Sequence, residues 1–308
     1  MVSSVFGKTR PINFIFIIIF LLFFFFGVHF FLLKTNSDIV SILKLFGILI
    51  LILASVFLTN FISKKNGLTR DNTYAALLFV LILSFFPYTF SNIEIIISNV
   101  FILLAIRRII SLKSYIQIKL KLFDASLWIC LATIFYEWAI LFFFLVFVAI
   151  LHYGLKDIRN WLIPLVAIIT VCIFVVTFFY LTNQLDKLSG ILNFKIGLNI
   201  DKYLDMRYLI PFLYILTMGT LATFSYFANI KSKLSEEQSS ILLVIVAFLV
   251  SLFISLLSNN ERTSEFIFMG FPLAIVMTNY IELIKKWWYK EFILWTFIIL
   301  PFIVLNVI

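Results

Sequence analysis

Three carboxylates and two guanidinium groups in this sequence stand where chemistry could be done. Glu137 lies at the centre of the apolar run "ATIFYEWAILFF", between Tyr136 and Trp138. Glu94 precedes Ser98 by four residues in "SNIEIIISNV", a spacing that places both on one helix face. Asp38 stands in "KTNSDIV", directly before an apolar run. An ionisable group in apolar surroundings is costly, so by default it lines a cavity or meets a partner. Glu137, Glu94 and Asp38 are therefore candidate general bases or ion-binding carboxylates. Arg207 in "YLDMRYL" and Arg262, beside Glu261 in "NNERTSE", are candidates for holding a phosphate or other anion. Each feature also has a plainer reading. Asp38 can cap a helix, Glu94 can complement the dipole of a helix start, and Glu261 with Arg262 can sit in a solvated loop.

The elements that carry these groups follow from composition. Of the 308 residues, 63% are hydrophobic and 13% charged, and 39 are Phe. With a mean hydropathy of +1.14, the chain has more apolar surface than one water-surrounded core can hide. Runs such as "FIFIIIFLLFFFFGVHFFLL" exceed the ~18 apolar residues of a spanning helix. The expected fold is all-α, a polytopic transmembrane bundle of about 10–11 membrane segments forming one integral-membrane domain over residues 1–308. The spans fall near 12–33, 39–62, 73–89, 92–112, 124–153, 161–181, 208–230, 240–257, 266–284 and 289–308. The first is too long for a signal peptide and lacks a small-residue cleavage site, so it is expected to remain as a helix.

Lys and Arg set the orientation. Ten of the 24 lie at the N-terminus and in the second and fourth loops, whereas the first and third loops hold only Lys34, with Lys44 just inside a helix. The positive-inside rule then predicts a cytoplasmic N-terminus in a bacterial inner membrane. The segment 124–153 sets the orientation of every later span. If it crosses once, the cytoplasmic side holds 15 of the 24 basic residues; if it enters and returns, it holds 17. The short basic loop "KKWWYK" favours the return. Each arm of such a hairpin has about 14 residues, ~21 Å against a ~30 Å hydrocarbon core, so the expectation is a short buried hairpin with Glu137 at its outer tip. The 182–207 connection then reads as an interfacial helix or lid on the outer face.

The basic stretch "RRIISLKSYIQIKLKLFDA" is expected to lie along anionic lipid at the cytoplasmic face, and the net charge of +9 is topological, not a sign of nucleic acid. Asn72 is a candidate N-cap of the third helix. No cofactor or metal is called for. Cys130 and Cys172 lack CxxC neighbours, His29 and His152 fall at opposite faces, and no phosphate-loop, zinc-protease or nucleophile-elbow pattern occurs.

The stretches "SSVFGKTRPINF", "GLTRDNTYAALLFVLILSFFP", "NVFILLAIRRIISLKS", "KLFDASLWICLATIFYEWAILFF" and "DIRNWLIPLVAII" together resemble an uncharacterised Bacteroidota family of multi-pass inner-membrane proteins. The resemblance covers roughly the first 170 residues and implies a membrane protein carrying a domain of unknown function. A looser similarity is to integral-membrane glycosyltransferases that use polyprenyl-phosphate sugars (GT-C-like), through the number of helices, a broken helical pair and a long outer loop with acids and Arg.

Three functional readings result. The sparse chemistry favours a subunit or assembly factor of a membrane complex, with other membrane proteins as partners. The alternative is a transferase at the outer face, with Asp38, Glu94 or Glu137 as base and Arg207 or Arg262, beside Glu261, holding a polyprenyl phosphate. The third is a transporter or flippase, which lacks the matched broken helices of an internal repeat.

Overall fold

A computed structural model describes residues 1–34, 38–155, 157–186, 205–228, 235–258 and 263–307. It is all-α: α1 (Val2–Phe6), α2 (Pro11–Gly27), α3 (Ile39–Lys65), α4 (Tyr74–Ser84), α5 (Ile93–Ile110), α6 (Ile118–Phe135), α7 (Phe143–His152), α8 (Ile158–Leu181), α9 (Met206–Ala228), α10 (Ser235–Leu257), α11 (Ile267–Leu283) and α12 (Trp287–Val307). Eight helices among the described residues are long and apolar enough to cross a membrane. The chain is a polytopic helical membrane protein.

Local chemistry sets where the helices start and stop. Pro11 opens α2 after an extended Arg10, where its missing N–H costs nothing. Gly67 and Gly154 take left-handed backbone (φ 60° and 61°). In each case the next residue returns a hydrogen bond to the helix just ended, Leu68 N to Ser63 O and Leu155 N to Ile150 O, which is the glycine-dependent Schellman stop. Asn92 and Asp157 cap α5 and α8 with their side chains. Asn72 is not itself the cap residue of α4. That position is Thr73, and Asn72 Oδ1 accepts from Tyr74 N one residue further in.

The third span is shorter than its hydropathy implies. Pro87 disfavours helical backbone at Phe86, which lies outside the helical region (φ −122°, ψ 89°), so α4 ends at Ser84 and is followed by a 3-10 turn, Pro87–Phe90. All of α4 is buried, and it packs along α11, the most buried of the long spans. α2, α3, α5, α9, α10 and α12 surround this pair. Gly270 of α11 lets the helices approach; a Cβ there would sit 3.0 Å from the Phe79 ring.

The 124–153 segment does turn back. Tyr136 is extended (φ −151°, ψ 109°) between α6 and a 3-10 turn, Glu137–Phe142, that leads into α7. The ring of Tyr115, before α6, meets Tyr153, after α7, at 6.1 Å, so the arms are antiparallel. The arms are longer than expected. The first begins at Ile118, within the stretch expected to lie along the lipid surface. Its charges are accommodated at the base, where Asp124 meets Arg108 at 2.9 Å and Lys121 donates to Ser111 O at 2.6 Å.

The bundle has two chemically distinct ends. The basic end carries Lys64, Lys65, Arg70, Arg107, Arg108, Lys113 and Lys119 with the start of α12; the far end carries the hairpin turn at Tyr136 and the Pro87–Phe90 3-10 turn. His29, bonded through Nε2 to Phe90 O at 3.1 Å, lies at the far end and His152 at the basic end. The helices α8 and α9, consecutive among the described residues, pack on different partners: α8 on α6 and α7, α9 on α11 and α12.

Candidate functional site

The far end gathers the residues with most chemical potential. Tyr136, held extended at the hairpin turn, donates its hydroxyl to Ser258 Oγ at 2.7 Å, tying the turn to the end of α10. Its ring stacks on Phe268 of α11 at 5.6 Å. Immediately before α11, the short 3-10 turn Ser264–Phe266 packs against the Pro87–Phe90 turn through Phe86 and Phe266, stacked at 4.0 Å. That turn is launched by Thr263 in left-handed backbone, φ 52°. It carries Glu265, which is 0% exposed. A carboxylate removed from water at this position answers to its neighbours rather than to solvent.

The residues singled out from the sequence are distributed around this cluster rather than gathered in it. Glu137 follows Tyr136 as the first residue of the 3-10 turn and is half-buried. Glu94 is exposed in the first turn of α5, next to the cap Asn92, whose side chain accepts from Glu94 N. Ser98, four residues on, donates instead to Ala132 O of α6 at 3.0 Å. Asp38 occupies the N-cap position of α3 and is exposed; the Ser41 hydroxyl holds its carboxyl below the usual carboxylate range. α3 meets α5 where Asn99 donates to Ser55 Oγ. At ~1.5 Å per residue, Asp38 is about 25 Å along α3 from that crossing, and Glu94 about 8 Å along α5. The two carboxylates are thus carried apart. Arg207 N bonds Asp205 Oδ1 at 3.1 Å, with its Nε 3.8 Å away, so Arg207 is engaged at the start of α9. Glu261 and Arg262 lie outside the described residues, as does 187–204, most of the connection expected to form a lid.

The basic end holds a denser polar network that sequence reasoning missed. Glu291 of α12 accepts from Val2 N, Ser3 N and Ser3 Oγ at 3.1, 2.9 and 2.6 Å, capping α1 from across the bundle. Glu282 of α11 accepts from Arg70 N and Asn72 Nδ2 at 2.8 and 2.6 Å. Asn279, one turn earlier, donates to Leu68 O. Asp71 takes Thr9 Oγ1 and Lys64 Nζ at 2.8 and 3.2 Å. The Thr9 bond first, then Lys64, holds its carboxyl below the usual range. This clamp is therefore present above the ordinary carboxylate pKa of about 3.9 and is lost only as pH falls through the lowered value. The one sequence signal for this network was the pair of acids, Glu282 and Glu291, flanking "KKWWYK".

The outward face of α9 carries three closely spaced threonines among bulky side chains. Thr217, Thr220 and Thr223 recur every three residues, each hydroxyl donating to the carbonyl three residues back at 2.9–3.0 Å. Leu213 and Phe224 flank them, while Pro211, Ile215, Gly219 and Ala222 face inward. On α8 the outward surface includes Leu165, Ile169, Ile173 and Phe174, and its threonines Thr170 and Thr177, which also bond back to their own helix, are seven residues apart rather than three.

Residues 9–307 match the model of a family described as Family of unknown function (DUF6427). No curated protein and no solved structure matches the chain.

Proposed function

Because the chain belongs to this family of unknown function, we propose a role on its own geometry: a subunit or assembly factor of a membrane complex, docked through α9. The observation that carries this is the threonine face at Thr217, Thr220 and Thr223. Lipid tails are as apolar as leucine, so helices associate in membranes through close backbone approach and hydroxyl contacts, and small residues mark such contacts. A threonine whose proton is spent on its own helix still offers lone pairs to a neighbour's donor. Behind this face, Tyr214 bonds Thr296 of α12 at 2.6 Å and packs on Phe297, so the surface is rigid. The basic end faces the cytoplasm in this reading, with the bilayer being a bacterial inner membrane.

Extracted in a mild detergent, the wild type is expected to migrate as an assembly heavier than its own 35.9 kDa. A Thr217→Trp/Thr220→Trp double variant should release it as the single chain with its melting temperature unchanged, since both side chains point outward. An unchanged assembly in the variant would sink the docking face.

A second reading, a transferase acting on a polyprenyl-phosphate-linked sugar at the far end, is favoured by the buried Glu265 beside the Tyr136–Ser258 turn. It expects Glu265→Gln and Glu137→Gln to lower incorporation of a lipid-linked sugar into surface glycans by at least about 10²-fold, the usual worth of a general base. Unaltered glycans in both variants would remove this reading.

A further inference from the structure

At the basic end, where the hairpin base meets the start of α8, a recess of about 550 Å³ opens between the 115–120 stretch and residues 157–160. Its walls are fixed. Lys121 Nζ holds Ser111 O and Ser114 Oγ, both at 2.6 Å, and the Tyr115 hydroxyl reaches Tyr153 O at 3.4 Å. Tyr115 and Gln117 both take left-handed backbone, φ 53° and 52°, which bends the chain around the opening. Into this recess α8 contributes Asn160, which is only 5% exposed. Its Oδ1 is buried and has no hydrogen-bond partner.

An orphaned buried amide oxygen is expensive, and a site that keeps one is suited to a ligand that donates to it. The rest of the recess narrows the choice. Asp157 adds a second acceptor, a carboxylate whose Oδ1 takes Arg159 N at 3.0 Å and whose Oδ2 is 3.7 Å from Lys119 Nζ. Both partners of that ion pair are about half exposed, and such a pair is loose enough to open for a ligand. Asn160, Asp157 and the cation of Lys119 therefore line the same space. Around them Ile116, Leu120 and Ile158 are exposed apolar side chains, at the level where a helix leaves the bilayer.

We propose that this recess binds the headgroup of a phosphoethanolamine lipid. Its primary ammonium, with three N–H donors, meets Asn160 Oδ1 and Asp157, and its phosphate takes Lys119. The glycerol and upper acyl chain lie against Ile116 and Leu120. A choline headgroup has no N–H to give Asn160, and a glycerol headgroup lacks the cation that Asp157 calls for.

The test is native mass spectrometry of the protein released from nanodiscs of equimolar phosphatidylethanolamine, phosphatidylcholine and phosphatidylglycerol. The wild type should retain the ethanolamine lipid about tenfold over the choline lipid, the discrimination expected of charge-assisted hydrogen bonds. Asn160→Leu and Asp157→Asn should each bring retention down to the choline level. Asp157 is about half exposed and Asn also caps a helix, so its variant folds and keeps the test decisive if Asn160→Leu does not. Equal retention of the two lipids by the wild type, or an intact preference in Asp157→Asn, would overturn the proposal. Glycerophosphoethanolamine at millimolar concentration separates the sources of the same chemistry. Leaving lipid retention unchanged is the expected result; binding of this soluble compound without any lipid preference would overturn the lipid assignment.

Discussion

Glu282→Ala is expected to lower the stability of the folded chain by about 3–5 kcal/mol, the scale of breaking a buried charged network by removing one partner. The carboxylate, 9% exposed, receives Arg70 N and Asn72 Nδ2 and so pins the 66–73 connection to α11. Its removal strands the buried amide of Asn72, and each bond to a charged acceptor is worth roughly 1.5–3 kcal/mol. The guanidinium of Arg70 adds little. It is largely exposed with its Nε 3.9 Å from the carboxylate, and exposed pairs are worth about 0–1 kcal/mol. Glu282→Gln keeps one acceptor oxygen and should lose about half as much, whereas Arg70→Ala should lose less than about 1 kcal/mol because the backbone N–H remains. Unfolding midpoints in detergent measure all three. A loss in Glu282→Ala no larger than in Arg70→Ala would show that the hydrogen bonds do not carry the network.

At the opposite end, Phe86→Ala should cost about 3–5 kcal/mol, the range for deleting a buried aromatic side chain. Phe86 is fully buried and stacks on Phe266, which in turn meets Phe212 of α9 edge-on at 5.9 Å. The deletion removes the contact that joins the two 3-10 turns, so the Ser264–Phe266 turn bearing Glu265 should lose amide-exchange protection first. Phe31, 85% exposed on the last turn before the first loop, is the matched control. Phe31→Ala should stay within about 0.5 kcal/mol of wild type, since a side chain already facing outward loses no packing. Equal losses in the two variants would contradict the assignment of Phe86 to the core.

Hydropathy located most spans because burial in lipid demands it, and the charge tally found the hairpin because basic loops resist translocation. The reach of α6 was harder to see. Lys119, Lys121 and Asp124 interrupt the apolar run, and a sequence does not show that Asp157, Ser111 and Arg108 would receive them at the hairpin base. The early end of α4 is visible in Pro87, which forces Phe86 out of the helix, but hydropathy alone makes that proline a kink within a longer span. Residues that matter across long separations stayed hidden. Glu291 caps a helix 288 positions away, and nothing within its neighbourhood announces that. Glu265 reads as one acid among several in a loop, because burial by two facing 3-10 turns is a tertiary property. Asn160 lacks a charge and so drew no attention, although its orphaned oxygen is the clearest ligand signal among the described residues.

A role in a larger membrane assembly requires that α9, and not α8, be the face that meets another protein. Photo-crosslinking residues placed in turn at Thr217 and Thr220 of α9, and at Ile169 and Ile173 of α8, measure what each face touches in intact membranes. The prediction is a discrete protein adduct from both α9 positions, abolished when Thr223→Trp blocks the face, with lipid adducts alone from α8. Lipid adducts alone from α9, or the same protein adduct from both helices, would contradict it.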